Sequence, residues 1–449
     1  MNSKLYKFPL IGLLIIVYLT LLYLVYSYNR FTDFTPFYVS IKELMYGLNP
    51  YPIAKQISAN LNPPFFLCFF YPLGLLSYRT GMIISSLVSI GLGFTGARYA
   101  FFYAFSAEFR KKYNWVLYLL YFSFFPVLMD TSIVQLGALL FFCTMIGYHF
   151  YCQKKDNLAG IFWGLIIAIK LFPALLFFLV LKQGRDRVFL VMLTTFLLAC
   201  LIPLLFYGPT IYDQYFSMIS VIYWYGDSWN ASIFGYIFRL IMDLGQPGKS
   251  LLGIKSLYLL LFFILLACYL FALGPKEIPG NSKQINHQPF CLTLTMMVLM
   301  SPFGWLYYFS LLIFPLILTG TIVFQEKSKT LLPLMIWVGC FFLLDFPQAY
   351  MIGKQIPNFN QKIGLFSFYF YGLVLLNLIV IFRPILKGFN EINISVVKSN
   401  EKKNTALTIL VFILLFGLVV PFNSFLMRIS IGGHGVFDPS DLDKLLREN

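Results

Sequence analysis

The chain has 449 residues, 59% of them hydrophobic and only 11% charged, with a mean hydropathy of +0.78 and a formal net charge of +15. Soluble domains carry about 25% charged residues, so a water-soluble fold cannot cover this much apolar surface, and a polytopic integral membrane protein is implied. The positive charge does not point to nucleic acid, because the Lys and Arg lie in short clusters between apolar runs, as membrane topology requires.

The first apolar run, residues 8–26, is long enough to cross a ~30 Å hydrocarbon core as a helix. No small-residue cleavage site follows Tyr26, so it reads as a retained helix rather than a signal peptide. Runs at 188–206, 251–273, 365–382 and 406–425 are equally long, and short alternating segments of the kind a membrane barrel needs are lacking. An all-α bundle of roughly eleven to thirteen membrane segments follows. It forms one transmembrane domain over residues 1–425, with a loop at 27–79 and a tail at 426–449.

Lys4 and Lys7, residues 98–112, Lys154 and Lys155, residues 182–187, Lys327 and Lys329, and residues 383–403 are the basic clusters. They predict cytoplasmic segments and a cytoplasmic N-terminus. Residues 207–230 contain no Lys or Arg but carry Asp213 and Asp227, which places them outside. The loop at 27–79 has only Arg30, Lys42, Lys55 and Arg79 and belongs outside too, as does the tail. Basic clusters bracket residues 157–181 on both sides, and Lys170 and Pro173 interrupt that apolar run. Two half-length helices returning to the cytoplasmic face are expected there.

Loops of this length tend to be functional. In residues 33–46 the apolar positions Phe34, Phe37, Tyr38, Ile41, Leu44 and Met45 recur at spacings of three and four, which predicts an amphipathic helix on the membrane surface. Gly47 stops it, and Asn49-Pro50-Tyr51-Pro52 makes a turn. A second apolar stretch opens at Pro63-Pro64-Phe65, runs to Leu76 and leads into the next span near Thr80.

Asp33 stands where this platform begins. One reading is a helix N-cap, a place Asp favours. The other is a general base at the mouth of an apolar cavity, its pKa raised by partial burial. The next acid, Glu43, is too far along for a D-x-D metal site or a hydrolase pair, and a single base without a metal fits inverting transfer. The seven cysteines form no C-x-x-C pair, and His149, His287 and His434 are scattered, so neither disulfides nor a metal set is indicated. The 19% aromatic content is read as packing and lipid contact. Gly432-Gly433-His434-Gly435 and Asp438-Pro439-Ser440-Asp441 in the tail read as a turn and a helix start, with no chemistry assigned.

Several runs together carry a resemblance: Asp33, Tyr38 and Gly47-Leu48-Asn49-Pro50-Tyr51; Asn62-Pro63-Pro64-Phe65 to Tyr71-Pro72-Leu73; Gln135; Gly160 to Lys170 and Pro173; Asn230-Ala231-Ser232 with Arg239; and Ser301-Pro302-x-x-Trp305. Their order and spacing over residues 10–325 resemble glycosyltransferase family 87, the polyprenyl-phosphate-mannose-dependent mannosyltransferases of the GT-C class. Val134 stands where the family carries a Gly, Gly137 where it carries an Asn, Ala231 where it carries a Gln, and Tyr307-Tyr308 where members often carry a His pair.

The resemblance implies a GT-C-like fold and a multipass protein of a bacterial cytoplasmic membrane with an extracytoplasmic active site. It implies transfer of a sugar, mannose in the family, from a polyprenyl-phosphate donor to a lipid or glycan acceptor, without metal or cofactor. Asp33 would be the base, Lys170 and Arg239 would meet the donor phosphate, and Tyr38, Gln135, Asn230, Ser232, Trp305 and Tyr308 would line the sugar and acceptor site. The structural alternatives are snorkelling or a helix end for the two cations, interhelical hydrogen bonding for the polar residues, and an interfacial belt for the aromatics. A lipid or small-molecule transporter is the competing function, since a broken helix carrying a charge also suits transport.

Overall fold

The computed structural model describes residues 3–27, 32–53, 60–222, 225–242, 251–274, 286–325, 332–348, 358–382 and 401–430. The described residues hold helices and no strand, only an isolated bridge between Asn230 and Trp305. In chain order the helices are α1 (Ser3–Ser27), α2 (Phe34–Met45), α3 (Pro64–Phe69), α4 (Tyr78–Ala104), α5 (Ala107–Ser123), α6 (Phe125–Ile133) and α7 (Gly137–Cys152). They continue with α8 (Asp156–Ile169), α9 (Leu175–Lys182), α10 (Asp186–Tyr207), α11 (Thr210–Val221), α12 (Ile233–Ile241) and α13 (Leu251–Ala272). The last are α14 (Gln288–Met300), α15 (Ile313–Gln325), α16 (Leu332–Asp345), α17 (Phe359–Ile363), α18 (Phe368–Phe382) and α19 (Glu401–Ser430).

Five of these segments are long and apolar enough to cross a membrane, and a sixth arises if α5 and α6, bent by 61°, count as one span. Seven shorter apolar helices accompany them. The chain is therefore an all-α polytopic membrane protein. Arg30, Lys55, the clusters at Lys327/Lys329 and 383–400, and the tail from residue 431 lie outside the described residues.

Burial sorts the helices. Every residue of α14 from Pro289 to Met300 is buried, as is the 3₁₀ run Leu306–Leu312, so these form the bundle's centre. A helix that is apolar all round belongs there. Its few polar groups are satisfied locally or across helices: Thr295 donates to Asn377 Oδ1 at 2.7 Å, and Thr293 shares a 2.8 Å hydrogen bond with Tyr269. By contrast α13 and α10 leave Leu252, Phe263, Phe271, Leu205 and Phe206 exposed, apolar faces suited to lipid.

The interrupted run after Asp156 makes a hairpin. α8 ends at Lys170, whose backbone is extended (φ −144°, ψ 127°), and the chain resumes in the 3₁₀ turn Phe172–Ala174 with Pro173 inside it, then α9. Arg185 at the start of α10 pairs with Asp156 at the start of α8, and Arg187 Nε donates to Asn157 Oδ1 at 2.9 Å. Both ends of the run therefore lie on one face of the bundle, as a re-entrant pair requires. α8 and α10 run side by side in the same direction. A Cβ on Gly160 would sit 2.7 Å from Val191 Cβ, and one on Gly164 would sit 2.6 Å from the Met192 carbonyl, so glycine permits this approach.

The loop after α1 folds as a platform, with one correction. Gly47 adopts φ +72° and ends α2 as expected, Tyr51 N donates to Asn49 Oδ1 in the predicted turn, and Pro64 opens α3. Ser77 caps α4, accepting from Thr80 N. But α2 does not lie with a face free of the protein. Nine of its twelve residues are buried, Thr35, Ser40 and Glu43 among them. The three-four periodicity is the same for a helix lying on lipid and for one packed beneath other segments of its own chain.

Candidate active site

Asp33 begins the platform, and its backbone is tied at once to a distant element: its N–H donates to the Ile133 carbonyl at 2.9 Å. Its φ and ψ (−68°, −9°) are helical and its side chain caps nothing in α2. An N-cap residue is normally extended and accepts from the first turn, so the carboxylate is not spent on α2. Gln135 Nε2 donates to Asp33 Oδ2 instead. The side chain is half-buried, and among the described residues Oδ1 accepts no hydrogen bond. Burial raises the carboxyl above its ordinary range, while the Gln135 hydrogen bond and the Lys170 charge pull the other way.

Lys170 reaches the same place from the break after α8. Its half-buried ammonium lies over the ring of Tyr308, 5.6 Å from the centroid, and that ring packs on Phe172 at 4.9 Å. It is within electrostatic reach of Asp33, yet among the described residues the two form no ion pair. The hairpin of α8 and α9 thus presents a cation, the start of α2 presents an anion, and the buried run through Tyr308 backs the cation.

A second cluster adjoins the first through Trp305 and Tyr307, whose rings stack at 6.2 Å; Tyr307 lies within electrostatic reach of both Asp33 and Asp227. Asn230 is saturated here. Its Nδ2 donates to the Tyr225 and Pro302 carbonyls, both at 2.9 Å, and its Oδ1 accepts from Ser232 N at 3.1 Å and Gly304 N at 2.9 Å. Ser232 caps α12 by accepting from Gly235 N at 3.0 Å. The Arg239 guanidinium, fully buried, donates to the carbonyls of Gly226, Asp227 and Asn230 and to Ser367 Oγ. These three residues clamp the loop at 225–232 onto the turn at 301–305. Tyr38 stands in the platform's packing: its hydroxyl donates to the Leu76 carbonyl at 2.8 Å, and its ring packs against Phe34 and Tyr78.

The structure therefore brings Asp33, Gln135, Lys170 and Tyr308 together, sets Asn230, Ser232, Arg239 and Trp305 in the adjoining clamp, and places Tyr38 in the platform. Sequence reasoning missed Asp130. Its carboxylate accepts from Gly137 N and Ala138 N, both at 2.8 Å, and so holds the first turn of α7 next to Gln135. The signal was present, since Asp130 is an acid inside the apolar run Phe125–Ile133, and such a group needs a dedicated partner. Gly137, a departure from the family pattern, is required by the packing: a Cβ there would press into the Tyr307 carbonyl and stand 2.7 Å from Asp130 Oδ1.

The model of glycosyltransferase family 87 matches residues 60–302, over half of the chain. Gln135, Lys170, Asn230, Ser232 and Arg239 fall inside the match, whereas Asp33 precedes it and Trp305 and Tyr308 follow it. No curated protein and no solved structure matches the chain. An all-α polytopic bundle that gathers an acid, an amide and a lysine at the junction of a folded loop and a broken helix, and whose sequence matches that family over more than half its length, belongs to glycosyltransferase family 87 and is a membrane glycosyltransferase.

Proposed function

We propose that this membrane glycosyltransferase moves a sugar, mannose being the family's expectation, from a polyprenyl-phosphate donor to a lipid or glycan acceptor with inversion, on the extracytoplasmic face of a bacterial cytoplasmic membrane. The observation that carries this reading is the meeting of Asp33 and Lys170, opposite charges drawn from distant segments into one half-buried place without pairing. An acceptor hydroxyl gives its proton to Asp33 Oδ1 as its oxygen attacks the anomeric carbon. The bond from that carbon to the phosphate oxygen breaks, and the polyprenyl phosphate leaves with one more negative charge than it carried as a diester. Lys170 meets that charge, in a site where low dielectric makes the contact worth most. Tyr308 holds the ammonium in place through its ring. Gln135 acts on Asp33, and the Asn230, Ser232 and Arg239 clamp keeps the wall carrying Trp305 and Tyr308 against the site.

The test is incubation of the purified protein with a panel of polyprenyl-phosphate sugars, reading which lipid phosphate is released, alongside Asp33→Asn. The substitution keeps size and removes basicity, so folded, membrane-inserted protein with little transfer is expected. Turnover near that of the unaltered enzyme takes Asp33 out of the mechanism. Transport of the lipid across a vesicle membrane without any glycosylated product overturns the reading as a whole.

A further inference from the structure

We propose that Gln135 is a positioning residue: it grips Asp33 Oδ2, fixing the carboxylate so that Oδ1 is the oxygen offered to the acceptor hydroxyl. This rests on the role of Asp33 proposed above. Five further hydrogen bonds make the grip directional. Gln135 Oε1 accepts from Leu136 N at 3.2 Å, which leaves Nε2, the donor end of the amide, facing Asp33. Gln135 N donates to the Asp130 carbonyl at 3.0 Å, and the Asp130 carboxylate holds Gly137 N and Ala138 N, so both sides of the residue are anchored by one acid. Asp33 N donates to the Ile133 carbonyl, so the segment that carries the amide also holds the backbone of the acid it grips.

The turn that aims Gln135 is built at a cost. Val134 has φ 58° and ψ 54°, a left-handed conformation that a β-branched residue rarely adopts. Without that reversal α6 would continue, and residue 135 would not swing back toward residue 33. Backbone strain of this kind persists where the surrounding structure enforces it, and here Asp130 anchors the turn from both sides.

A neutral donor on one oxygen stabilises the ionised carboxylate over the acid, in competition with burial. The charged and titratable groups facing Asp33 are Lys170 at the end of α8, Asp130 on α6, and Tyr307 and Tyr308 on the run after Trp305. Of the groups that reach Asp33, Gln135 and Lys170 favour its anion. Removing the amide therefore moves the titration of Asp33 upward.

The experiment is an infrared titration of the protonated-carboxyl C=O stretch in the full-length protein in lipid nanodiscs. The Asp33 band is assigned by subtracting the spectrum of Asp33→Asn. Gln135→Leu removes the donor at similar size, and Gln135→Met does so with a more adaptable chain if the branched side chain blocks insertion. The Asp33 midpoint is expected to rise by about one to two pH units in either variant. In parallel, the acid limb of polyprenyl-phosphate release from polyprenyl-phosphate-mannose, or from another panel donor that turns over, should move by the same amount. A midpoint that stays where it is in an inserted variant overturns the positioning role while leaving Asp33 as base. Transfer that survives in Asp33→Asn overturns the base itself.

Discussion

Asn230 is a sugar-site candidate by resemblance, yet all four hydrogen bonds of its side-chain amide go to backbone groups, so Asn230→Ala should act on stability first. The variant loses two donated and two accepted hydrogen bonds, each worth about 0.5–1.5 kcal/mol net, for a total of about 4 kcal/mol. With an unfolding entropy of about 2.1 cal/mol/K per residue, a 449-residue chain loses about 1 °C per kcal/mol, and a fall of about 4 °C in Tm follows. Asn230→Asp keeps the two accepted bonds but turns an anion toward the Tyr225 and Pro302 carbonyls, so it should be no more stable than the alanine variant. Thermal unfolding in detergent, read beside the KM for donor, separates the possibilities. An unchanged Tm with a raised KM in Asn230→Ala would refute the clamp and return the residue to the substrate.

Other substitutions divide the site in the same way. Lys170→Met keeps length and removes charge, and should lower kcat for phosphate release by about 10²–10³-fold with insertion intact; an unchanged kcat removes Lys170 from the mechanism. Arg239→Lys keeps charge but loses the fork that reaches three carbonyls and Ser367, so Tm should fall while donor KM holds; the reverse pattern would make it a ligand. Gly137→Ala drives a Cβ against Asp130 Oδ1 and the Tyr307 carbonyl and should cost about 1–3 kcal/mol, visible as a lower Tm together with lost turnover. Because burial raises the Asp33 carboxyl, its ionised form weakens the fold at neutral pH and not at pH values below the ordinary carboxyl range. Asp33→Asn should therefore be at least as heat-stable as the unaltered protein at pH 7, with the advantage vanishing as pH falls.

What was legible in the sequence was local. Composition gave the membrane class, the three-four spacing gave α2, Gly47 its end, Pro64 the start of α3, and Lys170 with Pro173 the break after α8. Each of those signals lies within one turn of the element it shapes. Partnerships were not legible. Gln135 and Asp33 are 102 positions apart, and nothing in either segment names the other. An Arg inside an apolar stretch is costly, which says that it needs acceptors but not whether they are phosphate oxygens or the carbonyls of its own loop. The same ambiguity hid the role of Asp130 and the burial of most of α2 within the protein.

The arrangement of charge bears on why Asp33 and Lys170 share a site but not a salt bridge. In the proposed inverting displacement the attacking oxygen and the departing phosphate stand on opposite sides of the anomeric carbon, so the proposed base and phosphate-binding cation, if in contact, would leave no room for the sugar between them. Each charge is instead braced by a neutral partner, Asp33 by the Gln135 amide and Lys170 by the Tyr308 ring. Neither brace cancels charge, as a carboxylate on Lys170 or a guanidinium on Asp33 would. Burial penalises both ions, and under the proposed mechanism that penalty would be relieved when a phosphate arrives at one and a hydroxyl proton at the other. Binding of a polyprenyl-phosphate donor should accordingly be weakened by Lys170→Met and strengthened or unchanged by Asp33→Asn, which removes the like charge; tighter binding in the former would contradict this division of labour.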